Sequence, residues 1–474
     1  MMNPSVNRRS LLAAFGTTAL AGCSSLNSTL PAACVDDWAE AERVRAAIQV
    51  PVFPSRDFLL SDFVHPGEAD VSAALARAIR TCHQAGGGRV VVSAGEFLCG
   101  PIHLLSGVNL HLSAGAVLRF HTDPAKYLPA VYTRWEGMEL MGYSPLIYAF
   151  GQTNIALTGP GVLDGQASIE NWWPWKGNEE WGRPGFPSQD AARQRLMADM
   201  AAGVPVEQRV YAEGAYLRPP FVQFYQCRNV LIEDVQLRRA PFWLLNPVLC
   251  ENVTVRGVHL LSLGPNSDGC NPESCRNVLI ENCFFDTGDD CIAIKSGRND
   301  DGRRIAVPSE NIVIRGCQMR AGHGGIVIGS EISGGARNIF AENCHMSSPD
   351  LERGLRIKTN SVRGGVIERV RFRNIIIGQV QDALVINFYY EEGDAGQHDP
   401  TVRDLVVENL LCEQADRVFQ VRGFARKHIE SVRLTNFHVL KAGEIGMVQH
   451  VDGLEVDGLS INGQAIAAIQ QASI

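Results

Sequence analysis

One short pattern returns in register along the second half of this chain, and it restricts the fold more than any other feature. It reads "QCRNVLIEDVQL" from 226, "LCENVTVRGVHL" from 249, "SCRNVLIENCFF" from 274, "PSENIVIRGCQM" from 308 and "GARNIFAENCHM" from 335. Its asparagines fall at 229, 252, 277, 311 and 338, so the copies are 23, 25, 34 and 27 residues apart. Weaker copies begin at 366, 402, 429 and 451, and "SGVNLHLSAGAVL" and "TNIALTGPGVL" stand upstream as earlier ones. Each copy alternates apolar and polar residues over short β-branched runs broken by Gly, Asn or Asp, and none holds a helix-length amphipathic stretch. Units of this length, with two or three short strands and no helix, predict the turns of a parallel β-helix. The leucine-rich consensus is missing, and a propeller blade needs roughly forty residues or more. The fold class expected is therefore all-β, a right-handed single-stranded parallel β-helix over residues 46–474.

The repeat also explains the cysteines. Cys227, Cys250 and Cys275 share one slot and Cys283, Cys317 and Cys344 another, as stacked buried small side chains would, so free core thiols are expected rather than a disulfide framework. The recurring asparagine suits a turn, where its side chain can bond backbone groups. A β-helix needs its open end covered, and "DVSAALARAIRTCHQA" (70–85) has the apolar spacing of an amphipathic N-terminal capping helix.

Residues 1–23 read as an export signal. Arg8 and Arg9 precede a short apolar stretch, as in twin-arginine export, and "LAGC" resembles a bacterial lipobox that would lipidate Cys23. Residues 24–45 then read as a linker or lead-in. The expected location is periplasmic or cell-surface, with membrane association only through the lipid. A formal net charge of −8 without a basic run speaks against a nucleic-acid partner.

Ionisable residues interrupt the coils at "PNSDG" (265–269), "TGDDC" (287–291), "AGHGG" (321–325) and "RIK" (356–358), each about one coil after the last. Neighbouring coils lie about 4.8 Å apart, so Asp268, Asp289, Asp290, His323, Arg356 and Lys358 can form one patch. Asn266 would share the face of Asp268, while Lys295 and Arg298 either extend the patch or are surface charge. Glycosidic hydrolysis needs one protonated carboxyl and one carboxylate that activates water. Crowding three acids raises at least one of them, and the paired cations suit an anionic sugar. This chemistry needs no cofactor and no metal.

The ordered set Asn-Ser-Asp, Gly-Asp-Asp, Gly-His-Gly and Arg-Ile-Lys resembles the polygalacturonases of glycoside hydrolase family 28, over residues 60 to 474. Ser267 stands where the family usually has threonine, and Ile326 where it has serine; neither changes an ionisable group. The resemblance implies hydrolysis of α-1,4-galacturonide bonds with inversion, with polygalacturonate or an oligogalacturonide as the partner. It implies Asp289 as general acid, Asp268 and Asp290 activating water, His323 tuning the acid, and Arg356 and Lys358 holding a substrate carboxylate. Inversion sets an expected carboxyl separation of roughly 6.5 to 9.5 Å.

Residues 166–217 fall outside the coil pattern, and with "SGRNDDGRRIAVPSEN" they resemble inserts of bacterial exopolygalacturonases. A wall at one end of the groove would make the enzyme exo-acting. "NWWPWKGNEEW" (171–181) reads equally as a sugar-stacking platform or a buried insert. The alternatives are an endo-polygalacturonase, a rhamnogalacturonan hydrolase, a calcium-dependent pectate lyase and a non-catalytic carbohydrate-binding β-helix. Oligomeric state is not legible.

Overall fold

The repeats pair residue for residue. In this computed structural model, which describes residues 37–471, Val230 lies beside Val253, Val253 beside Val278, Val278 beside Ile312 and Ile312 beside Ile339, all in parallel. The column runs on through Val370, Leu405 and Val432 to Leu454, and back through Ile155. Each copy of the pattern is thus one coil of a right-handed parallel β-helix. Two more strand columns complete a coil: Arg276–Glu281, Phe284–Thr287 and Ile292–Ile294 form one full turn. The export signal, Cys23 and the first part of the lead-in lie outside the described residues.

Alternation along each strand sends every second side chain inward. Leu157, Ile232, Val255, Ile280 and Ile314 therefore stack in one fully buried row, each worth roughly 1.5–3 kcal/mol of transfer from water. The repeated cysteines lie in such rows, and every described cysteine is buried and unpaired.

The recurring asparagines do something the sequence did not announce. Asn252 donates to Asn229 (3.0 Å), Asn277 to Asn252 (3.3 Å), Asn311 to Asn277 (3.1 Å) and Asn338 to Asn311 (3.0 Å). The amides bond each other from coil to coil, rather than their own backbone. All five sit at φ between 55° and 60°, the left-handed region that asparagine tolerates better than most residues.

Helix α1 (Asp37–Ala47) corrects part of the linker reading. Its Ala41 and Val44, with Ile48 just past its end, cover Leu279, Val313 and Phe340 on the outside of the coil. Asp37 pairs with Arg371 (2.7 Å), and Trp38 lies under the Arg373 guanidinium at 3.9 Å. Helix α2 (Ser72–Gln84) is the expected cap, burying Ala74, Leu75, Ala78, Ile79 and Cys82 against the first coils. The insert carries helix α3 (Asp190–Ala201), and a short helix α4 (Asn299–Ile305) follows the aspartate coil.

Candidate active site

The ionisable residues issue from bends that stack one coil above the next. Asp289 and Asp290 occupy the bend between Phe284–Thr287 and Ile292–Ile294. The Gly269 N–H donates to the Asp290 carbonyl (2.9 Å) and the His323 N–H to that of Asp289 (3.2 Å), which locks the three bends in register. Gly322, at φ 146°, has no alternative there, since a Cβ would lie 2.4 Å from the Asp289 carbonyl oxygen.

Asp268, Asp289 and Asp290 each place one carboxylate oxygen within 4.8 Å of the others. That is tighter than the separation expected for an inverting pair. Accessibility divides them: the Asp289 side chain is 15% exposed, Asp268 4% and Asp290 0%. Asp290 is held by Lys358 (2.6 Å) and Arg356 (3.4 Å), both on the strand Arg353–Lys358. Between them Ile357 points into the core, as the alternation requires. His323 Nδ1 lies 3.1 Å from Asp289, whose other oxygen meets the Asn266 amide at 3.5 Å. Asn271 donates to Asp268 (2.9 Å). Lys358 and Lys295 already set ammonium groups 2.6 and 3.6 Å from two of the three acids, where a divalent cation would have to sit.

Electrostatics assign the states. Burial, and then the charge of Asp289, push Asp268 up to about 8. Burial works in the same direction on Asp289, but the hydrogen bond and charge of His323 outweigh it and hold that carboxyl well below its usual range. The Asp289 bond raises His323 to about 9. Burial first, and crowding second, thus favour a proton on Asp268, while His323 favours the ionised form of Asp289, the acid that opens to the cleft.

Lys295 is less available than a free binding cation. It is buried, paired with Glu331 (2.8 Å) and close to Asp268 (3.6 Å), and lies 4.6 Å from the centre of the Trp243 ring. Arg298, read as patch or surface charge, is buried among Glu136, Glu331, Glu391 and Glu392 at 3.0 to 3.6 Å.

The three aspartates, Asn266, His323, Lys358 and Lys295 line a cavity of about 310 Å³, and the insert lines it with them through Lys176, Asn178, Glu180, Trp181 and Arg193. The tryptophan-rich stretch divides between its two readings. Trp172 and Trp175 are core residues, whereas Trp181 faces the cavity.

The family model for glycosyl hydrolases family 28 matches residues 211–460, more than half of the chain. The chain belongs to glycosyl hydrolases family 28. Among solved structures, a hyperthermoactive exopolygalacturonase from Thermotoga maritima aligns with a TM-score of 0.84 and 41% identity, over 89% of this chain and 96% of that one. A probable polygalacturonase of Vitis vinifera is 28% identical over 343 residues, 69% of this chain and 62% of that protein. An exo-poly-alpha-D-galacturonosidase of Dickeya chrysanthemi is 26% identical over 368 residues, 71% and 59%. The match thus spans about three fifths of the length of these two relatives.

Several residues of this family 28 cavity escaped the sequence reading. Tyr390 lies beneath both cations, 5.3 Å from Arg356 and 5.0 Å from Lys358, on a loop beyond the clear repeats. Glu331 and Glu391 also come from segments without a repeat signature. Glu136 did have a signal. It begins a two-residue Glu-Gly turn, at φ 44° and 79°, between the paired strands Val131–Trp135 and Met138–Gly142. Such a turn between alternating runs is a hairpin mark.

Proposed function

We propose that this glycoside hydrolase is an exo-acting polygalacturonase, which cleaves α-1,4-galacturonide bonds with inversion and releases galacturonic acid. One observation carries the exo reading: the insert lines the same cavity as the three acids, so the groove has a wall beside its catalytic floor. The Thermotoga maritima exopolygalacturonase, alike over 96% of its length, supports it.

Asp289 protonates the leaving oxygen, since it alone of the trio opens appreciably to the cleft. It receives the proton stored on Asp268 or His323, both adjacent. Asp268 lies too deep for a sugar carbon to reach it but keeps a narrow opening to the cavity. There it takes the attacking water's proton once its own has passed to Asp289, while Asp290, wholly buried, holds Lys358 in place. Water rather than a carboxylate therefore attacks, and inversion follows despite the short spacing. Arg356 and Lys358 offer their remaining donors to a substrate carboxylate, over the Tyr390 ring. Export and lipidation of Cys23 complete the proposal, and fatty-acid labelling that vanishes in Cys23→Ser tests them.

An endo-acting reading also has support among the relatives. An endo-polygalacturonase of Pectobacterium carotovorum is 27% identical over 393 residues, 86% of its length. Proton NMR of polygalacturonate during the first minutes of turnover separates the two. β-Galacturonic acid monomer is expected as the sole early product, and turnover should persist in the presence of a chelator. A ladder of oligomers would favour the endo reading, and an α-anomer appearing first would overturn inversion.

A further inference from the structure

Arg218 is a cation the mechanism has not used, and its surroundings are unusual. It is fully buried, and among the described residues no carboxylate lies within ion-pair distance of it. Burying an unpaired charge is costly, so its retention asks for a reason. Its partners are the carbonyls of Pro241 (3.0 Å) and Pro265 (2.7 Å), the Gln189 side chain (3.2 Å) and the Asn266 side-chain oxygen (2.7 Å). Pro241 and Pro265 lie on the two coils that follow the Arg218 coil, and Gln189 leads into helix α3 of the insert. Burial pushes the guanidinium down to about 9, and the charges of Glu136 and Asp289 offset only part of that.

The contact with Asn266 has a directional consequence. A guanidinium only donates, so the Asn266 oxygen must face Arg218 and its NH₂ must face away. Away is Asp289: the Asn266 nitrogen lies 3.5 Å from the Asp289 carboxylate. Asn266 is itself in the left-handed region, at φ 52°, and Arg218 bonds the carbonyl of the residue before it. Gln189 ties the same guanidinium to the insert.

We infer that Arg218 is a positioning residue. It fixes the Asn266 amide as a donor to Asp289 and so makes the insert and the acid one mechanical unit. The inference rests on Asp289 being the leaving-group acid. Without the clamp the Asn266 amide is free to turn its oxygen toward Asp289, and the carboxyl loses the partner that aims it.

Three full-length variants test this: Arg218→Met, Asn266→Leu and the double substitution, each characterised by kcat, KM and Tm. Each single change should lower kcat about a hundredfold, the usual cost of misplacing a reacting group, while KM stays within about twofold. The double variant should be no worse than either single one, because both remove the same link. Losses that multiply in the double variant, or a lower Tm with kcat unchanged, would overturn the inference. If Arg218→Met does not fold, Arg218→Lys takes its place. It keeps the charge but cannot fork onto Asn266 and both carbonyls, so it should lose kcat at near wild-type Tm, and wild-type kcat would refute the clamp. Asp289→Asn separates the two levels. Full activity there removes the acid assignment itself, whereas a dead Asp289→Asn beside multiplying losses removes only Arg218's role.

Discussion

Three neighbouring aspartates, from the bends of two successive coils, differ in state because their surroundings differ, and single substitutions separate them. Asp289→Asn should fold normally and lose hydrolysis by about a thousandfold or more, since an amide cannot protonate the leaving oxygen. A variant retaining a tenth of the wild-type rate would give the acid role to another group. Asp268→Asn should behave oppositely toward stability. The folded state lifts Asp268 to about 8, so native and unfolded chains both hold the proton near pH 3, and the cost of burying the charge grows between pH 4 and 8. Asp268→Asn, with no charge to bury, should match wild type near pH 3 and exceed it by roughly 5 kcal/mol at pH 9. Calorimetry at the two pH values checks this, and an equal offset at both would contradict the assignment. The site residues were legible because their chemistry recurs once per coil. Their states were not, since which acid stores the proton depends on burial, on Asp289 beside Asp268 and on His323 beside Asp289, and no spacing reveals those contacts. Lys358 shows the same limit: it is already committed to a wholly buried Asp290, so replacing it would weaken folding as well as substrate binding.

At the scale of single elements, the coil strands were readable and the helix outside them was not. The strands advertise themselves by alternation and by apolar slots that return every coil. Helix α1 has no such stripe, because only Ala41 and Val44 within it are buried and much of its attachment is polar, through Asp37 and Trp38. The asparagine ladder lies between these cases. Its members were visible in the sequence, but each one's partner is a whole coil away and is another side chain. Replacing Asn277 breaks bonds to Asn252 and Asn311 at a position where φ is 60°. Asn277→Ala should cost about 2–3 kcal/mol, from two hydrogen bonds and a strained alanine backbone. Asn277→Gly should cost about 1 kcal/mol less, because glycine relieves the strain but not the lost bonds. Denaturant midpoints for the pair measure this, and equal losses would show that the left-handed backbone carries no cost.

For the whole molecule the question is whether a polymer can lie across the groove or must enter by its end. The wall is not a loose flap. Arg193 pairs with Glu136 at the hairpin tip (2.7 Å), Trp172 and Trp175 are buried, and Val210–Tyr211 adds a strand to the hairpin. Deleting the whole insert would therefore open the core and say nothing about attack. The excursion from Asn178 to Phe186 is different, because it carries Asn178, Glu180 and Trp181 to the cavity while the core tryptophans lie before it. Replacing 178–186 with a short glycine linker should leave Tm within a few degrees of wild type and open that side. If the excursion blocks the groove, monomer release should slow, oligomers should appear among the first products, and viscosity should fall faster for each reducing end formed, because internal cuts shorten a polymer and end cuts barely do. Monomer as the sole product, with the wild-type ratio of viscosity loss to reducing ends, would show that these nine residues are not the barrier.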